Sequence, residues 1–216
     1  WSLAKKHNWK SSDLLDLAFN IIIGGLIGAR LYHVIIHWYD YSHNLIDIVK
    51  IWEGGLAIHG AIIGGGLALL LTCHKRHWPT WQVASWLTPS LALGQAIGRW
   101  GNFFNQELFG PPTNRPWGVP IDVVYRPIEY SAATHFHPLF LYESIACSLL
   151  ALILYYLNRH TIKAQYIVAT YLIGYGLIRF VIEFWRQDPT LYLLGWRWPQ
   201  WISCFMILGG LWLIIY

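Results

Sequence analysis

The stretch GRWGNFFNQELFG, Gly98–Gly110, ends a run apolar enough to lie in lipid, yet it carries an arginine, two asparagines and a glutamate. Outward from it the chain stays apolar. Hydrophobic residues make up 56% of the 216 and charged residues only 12%, with a mean hydropathy of +0.39. A soluble domain carries about 25% charge. The 14 tryptophans and 13 tyrosines are also many, and rings with one polar atom collect where a membrane meets water. The composition is that of a polytopic membrane protein.

The formal net charge is +4, but the basic residues come in short groups between apolar runs and form no stripe, so topology rather than nucleic acid explains them. Cys73, Cys147 and Cys204 all fall in apolar runs without metal or redox spacing and read as small buried hydrophobes. No charged-then-apolar leader precedes the first span. The opening reads as a polar loop entering an amphipathic helix, with Ser11 or Ser12 as its N-cap.

A spanning helix needs about 20 mainly apolar residues. Six segments qualify: about 14–36, 55–73, 83–105, 138–157, 166–185 and 200–216. Backbone groups in hydrocarbon must be satisfied within the segment, and the alternating strands of a barrel are missing, so the expected fold is an all-α transmembrane bundle, one integral membrane domain over 1–216. Lys5, Lys6, Lys10, Lys75, Arg76, Arg159 and Lys163 lie on one set of connections, which should be cytoplasmic. The other connections, 37–53, 106–137 and 186–199, are longer and mixed in sign and should face outward. Segment 106–137 holds Pro111, Pro112, Pro116, Pro120 and Pro127, with Pro138 just beyond, so an irregular outward lobe is expected there. Gly24/Gly28, Gly60/Gly64 and Gly94/Gly98 have the spacing that lets helices approach closely.

On this topology Arg30, His59, Arg99, Asn102, Asn105, Glu143, Arg179 and Glu183 all fall in the outward half of their spans. An ionisable side chain at membrane depth costs about 2.5–3.5 kcal/mol, and several helices accepting it at one depth point to a shared polar cavity. Arg99, Asn102 and Gln106 are spaced to share one helical face, as are Tyr175, Arg179 and Glu183. Each group alone has a plainer reading: Arg179 with Glu183 as a buried ion pair, His59 as a structural histidine, Asn102 and Asn105 as interhelical glue, Glu143 as a neutraliser, His137 as a residue before a proline-started helix, Arg30 as a snorkelling arginine. Together they leave positive charge in excess, which a lipid phosphate would complement. No residue set has metal-ligand spacing on one helix, and no cofactor is implied.

These residues carry a resemblance. Gly98, Arg99, Gly101, Asn102, Phe103, Asn105, Glu107 and Gly110 match the pattern G-R-x-G-N-F-x-N-x-E-x-x-G, and WEGGLAIHGAIIGG (52–65), HPLFLYES (137–144) and GYGLIRFVIEFWR (174–186) follow in order. The chain resembles the prolipoprotein diacylglyceryl transferase family from about Leu3 to Tyr216. Phe104 stands where the family has a smaller aliphatic residue. The family's first helix, with an aromatic motif bearing a tyrosine, has no counterpart in these 216 residues.

The resemblance implies transfer of the diacylglyceryl group of phosphatidylglycerol to the lipobox cysteine of a prolipoprotein, in a bacterial inner membrane, at a cavity facing the outer leaflet. It implies catalytic roles for His59, Arg99 and Arg179, with Asn102, Glu107, Gly110, Arg30, Tyr175, Glu143, Glu183 and His137 around the substrate. The general base is either His59 or the tyrosine of the preceding helix. The contrasting classes are a lipid or ion transporter using the same charges, which would show inverted repeats and midplane sites, and a scaffold, which leaves the arginines unexplained.

Overall fold

The computed structural model describes residues 9–160 and 162–216. Among them are seven α-helices: α1 Ser11–Ile36, α2 Trp38–Ser42, α3 Ile58–Arg76, α4 Thr80–Phe104, α5 Leu139–Arg159, α6 Ala164–Glu183 and α7 Trp198–Ile215. Each predicted segment is helical, with ends shifted by a few residues. Five of them, α1, α3, α5, α6 and α7, are long and apolar enough to cross a membrane. The chain is a multi-pass membrane protein. Helix α4 is long enough but less apolar, because Gln82, Thr88, Pro89, Gln95, Arg99 and Asn102 interrupt it. At the entry to α1 the N-cap is Lys10 with no side-chain cap, so Ser11 is the first helical residue rather than the cap and Ser12 lies inside the helix. Lys5 and Lys6 lie outside the described residues.

The chain divides into two compact units, one ending at Ala84 and the other beginning at Ser85, within α4. In the first, α1 packs on α3 through small residues. A Cβ on Gly24 would lie 2.6 Å from Ala68 Cβ and 2.9 Å from the Gly64 carbonyl, and one on Gly28 would lie 2.9 Å from Gly64 Cα, so the backbones touch where larger residues would separate them. Asn20 Nδ2 donates to Thr72 Oγ1 at 3.2 Å. Leu17, Cys73 and Val83 form a buried cluster. Arg76 reaches Asp16 at 2.8 Å and so ties the ends of both helices.

In the second unit Ala92, Leu150, Ala151, Leu154 and Ile167 make the core. Polar anchors fix the helices: Ser144 Oγ donates to the Ala96 carbonyl at 2.8 Å, and Asn158 Nδ2 to the Ser85 carbonyl at 3.0 Å. Gly176 and Gly210 admit α7 against α6, where an added Cβ would meet the Ser203 and Ala169 carbonyls at 3.0 and 2.9 Å. Gly94 and Gly98 differ: nothing among the described residues lies within 4 Å of where their Cβ atoms would be. Their spacing matches a packing motif, but no described residue packs there.

Between α4 and α5 the proline-rich segment forms an irregular lobe. Its regular part is the antiparallel pair β1 Val119–Pro120 and β2 His135–Phe136, closed over Phe109, Ile121 and Phe136. A second pair, β3 Tyr192–Leu193 and β4 Trp196–Arg197, joins α6 to α7.

Candidate active site: an arginine and carboxylate cluster

Glu143, one turn into α5, is 3% exposed, and both of its oxygens meet guanidinium groups. Arg99 Nε, from α4, lies 3.1 Å from Oε1. That N–H is not aligned with the oxygen, so Oε1 holds a charge contact without a hydrogen bond. Arg179 NH1, from α6, donates to Oε2 at 3.3 Å. Three helices therefore converge on one carboxylate. Arg179 is held again by Glu183, which its NH2 reaches at 3.0 Å one helical turn away. Tyr175, one turn earlier, shares the electrostatic neighbourhood of Glu143, Arg179 and Arg99.

From Arg99 the cluster continues into the Gly98–Gly110 stretch. Arg99 NH1 donates to Asn102 Oδ1 at 3.1 Å, and Asn102 Nδ2 to Glu107 Oε1 at 2.9 Å. Asn105 donates to that same oxygen at 3.2 Å. Helix α4 ends at Phe104, and Gln106 and Leu108 take left-handed backbone with φ of 51° and 56°. Gln106 therefore leaves the face expected for it and pairs with Asp122 in the lobe, donating from Nε2 at 3.0 Å. Left-handed residues other than glycine are costly and occur where surrounding contacts impose them. Here they bracket Glu107 and bring it back towards Asn102. Gly110 donates its N–H to the His137 carbonyl at 2.9 Å. A Cβ there would lie 3.0 Å from His137 Cβ and 3.2 Å from the Leu139 side chain. His137 Nδ1 pairs with Tyr142 Oη at 3.0 Å.

Beyond Glu183 lie three residues that sequence reasoning missed. Arg197 Nε donates to Glu183 Oε1 at 2.8 Å, and Arg186 NH1 lies 3.7 Å from Oε2. Asp188 pairs with Arg186 at 2.7 Å and with Arg197 at 3.4 Å. Burial alone would lower the Arg197 pKa, but the Glu183 hydrogen bond and the charges of Glu183 and Asp188 raise it above the ordinary arginine value. The connection 186–199 reads in sequence only as mixed charge, and nothing there signals that a hairpin returns Arg197 to Glu183. In all, four guanidinium groups (Arg99, Arg179, Arg186, Arg197) face three buried or half-buried carboxylates (Glu143, Glu183, Asp188). Glu107, more exposed and joined to Arg99 through Asn102, brings the carboxylates to four and balances the charge, so the surplus expected from the sequence is not found once it is counted.

Arg30 and His59 belong to the first unit. Arg30 is 7% exposed, and its guanidinium is occupied by backbone carbonyls: Nε to Ile48 at 2.8 Å, NH1 to Gly54 and Gly55 at 2.6 and 2.9 Å, and NH2 to Asp47 and Lys50. It clamps the loop that leads into α3. His59 is exposed on the first turn of α3, with its ring 5.9 Å from that of Tyr32.

A buried carboxylate shared by two arginines, linked through an asparagine to a second carboxylate in a strained turn, is found within a sequence that matches one family model from end to end. The model is described as prolipoprotein diacylglyceryl transferase, and it matches residues 1–216. The chain belongs to the prolipoprotein diacylglyceryl transferase family. Relatives named phosphatidylglycerol–prolipoprotein diacylglyceryl transferase include that of Synechococcus elongatus, 44% identical over 98% of this chain and 76% of its own length. That of Synechocystis is 43% identical over 96% of this chain and 75% of its own length. The Thermosynechococcus vestitus protein is 42% identical over 97% and 79%. Family membership covers both units, so the Arg30 clamp and the arginine cluster belong to one transferase chain.

Proposed function

We propose that this chain transfers the diacylglyceryl group of phosphatidylglycerol to the lipobox cysteine thiol of a prolipoprotein. The thiol gives its proton to a base, and the sulfur bonds to the glyceryl carbon as that carbon's bond to the phosphate oxygen breaks. A thioether and glycerol phosphate result. The observation that carries this reading is the meeting of Arg99 and Arg179 at Glu143. As the carbon–oxygen bond breaks, the phosphate gains negative charge, and fixed cations aimed at it favour the transition state over the ground state. Arginine suits the task because its planar fork matches two phosphate oxygens and stays charged.

In this reading Arg99 and Arg179 grip the phosphate while Glu143 and Glu183 hold them in place. Asn102 and Glu107 orient the glycerol head, Gly110 and His137 shape the turn that carries them, and Tyr175 lines the same site. Arg30 contributes by holding the loop before α3, since carbonyls occupy its nitrogens. A free thiol is only a few per cent thiolate near pH 7, so a base is needed. That base is His59 or a tyrosine of the family's first helix. We place α4 across the membrane as the sixth span, which sets the lobe and the arginine cluster towards the outer leaflet of a bacterial inner membrane. The grouping of Lys75, Arg76, Arg159 and Lys163 on the opposite connections supports that orientation.

The test is incubation of the protein with labelled phosphatidylglycerol and a lipobox peptide. A thioether adduct is the expected product. Lipid movement without adduct would assign the cluster to transport instead.

A further inference from the structure

Arg197 reaches Glu183 on α6 and Asp188 beyond its end, and it is fully used in doing so. Besides the Nε bond to Glu183 Oε1 at 2.8 Å, its NH1 donates to the Arg186 carbonyl at 3.3 Å and its NH2 to the Asp188 carbonyl at 2.8 Å. Its backbone N–H donates to Gln200 Oε1 at 3.0 Å, at the start of α7. With every nitrogen engaged and 9% of its side chain exposed, Arg197 is not itself a ligand-binding arginine. It is brought there by a two-residue hairpin turn, Leu194 and Gly195, with φ of 52° and 81°. Both positive values belong to the tight turn whose twist matches paired strands. The register Tyr192↔Arg197 then sets Arg197 on β4.

The consequence falls on Glu183, 1% exposed at the end of α6. A buried carboxylate with two free oxygens facing a guanidinium closes on it as a bidentate fork. Here Arg197 holds Oε1, so Arg179 NH2 meets only Oε2, at 3.0 Å, an oxygen that Arg186 NH1 also approaches at 3.7 Å. Arg179 NH1 is thereby left to Glu143 at 3.3 Å, where Arg99 also arrives. We propose that Arg197 is a positioning residue for the transfer reaction: by occupying one oxygen of Glu183 it keeps Arg179 turned towards Glu143 and Arg99, in place to receive phosphate. The inference rests on the phosphate-gripping role proposed above for Arg179. Without Arg197, both Glu183 oxygens turn to Arg179 and draw it away from Glu143.

The test uses the full chain in phosphatidylglycerol vesicles with a lipobox peptide, comparing wild type with Arg197→Gln, Arg197→Lys, Glu183→Gln and the double variant Glu183→Gln/Arg197→Gln. Misplacing a reacting-site group by about 1 Å costs up to ~100-fold in rate. Arg197→Gln is expected to lose ~10- to 100-fold in kcat/KM for phosphatidylglycerol while the KM for peptide stays unchanged, with Arg197→Lys between it and wild type. The double variant should be no slower than the slower single variant, because the positioning proposed for Arg197 runs through Glu183. Constants per folded molecule that match wild type in Arg197→Gln would overturn the inference, as would single losses that multiply in the double. Should Arg197→Gln fail to fold, Arg197→Lys and the double variant, which removes both charges together, carry the comparison. Absence of thioether from wild type itself would instead remove the transferase reading.

Discussion

Arg30 is a buried and Arg179 a half-buried guanidinium group, each on an apolar helix, and they are satisfied in opposite ways. Arg30 meets the carbonyls of its own loop, from Asp47 to Gly55, and lies 5.0 Å from the centre of the Tyr41 ring. Arg179 meets the carboxylates of Glu143 and Glu183. Carbonyl dipoles hold a cation without cancelling it, and five of them leave it no free donor. Such an arginine is a clamp. Carboxylates shared among several arginines leave partners that an incoming phosphate can rival, because bonds between ions are the strong ones and a lipid phosphodiester offers two anionic oxygens to a guanidinium fork. Such an arginine suits a working site.

Four substitutions break or sharpen that contrast. The largest effect is expected from Glu143→Ala, which leaves Arg99 and Arg179 facing each other in a buried place. Losing one member of a buried ion pair costs about 3–5 kcal/mol, seen as a lowered Tm in detergent together with loss of transfer. Arg99→Ala should next reduce thioether formation by about 10²- to 10³-fold, the scale of removing one transition-state donor, with a smaller fall in Tm than Glu143→Ala because Glu143 keeps Arg179; normal turnover would remove Arg99 from the site. Arg30→Met strips the loop carbonyls of their donor and should cost about 2–3 kcal/mol with an unchanged KM for phosphatidylglycerol. A raised KM at normal Tm would make Arg30 a lipid-gripping arginine and erase the contrast. The smallest effect is Gly110→Ala, where the new Cβ presses on His137 and Leu139 at 3.0 and 3.2 Å; about 1–2 kcal/mol of overpacking is expected, measured as a Tm shift with a modest rise in KM as Glu107 moves.

What sequence shows of this protein follows how local each cause is. Apolar runs declare helices because burial in lipid demands them along every turn, and five of the helices meet the test of length and hydropathy outright. Helix α4 does not, because the polar residues that announce the site also lower its hydropathy. Arg179 and Glu183 were legible as partners because four residues separate them on one helix face. Arg99 and Glu143 were legible as costly groups at similar depth, with Glu143 expected to neutralise an arginine; which arginines it meets is a fact of tertiary packing. Arg186, Asp188 and Arg197 stayed hidden because a hairpin decides where they go, and its turn, Leu-Gly, lacks the asparagine or aspartate that usually marks one. Gly94 and Gly98 show the converse, a packing signal without a packed neighbour among the described residues.

Gln106 and Leu108 hold φ of 51° and 56° on either side of Glu107, in a region that disfavours a side chain by about 1–2 kcal/mol per residue. Glycine at either position would ease the bend and let the acid between them wander. Heat tolerance and turnover therefore pull against each other within this short turn: breeding the protein for endurance alone favours glycine there, and breeding it for speed favours the stiffer residues it has.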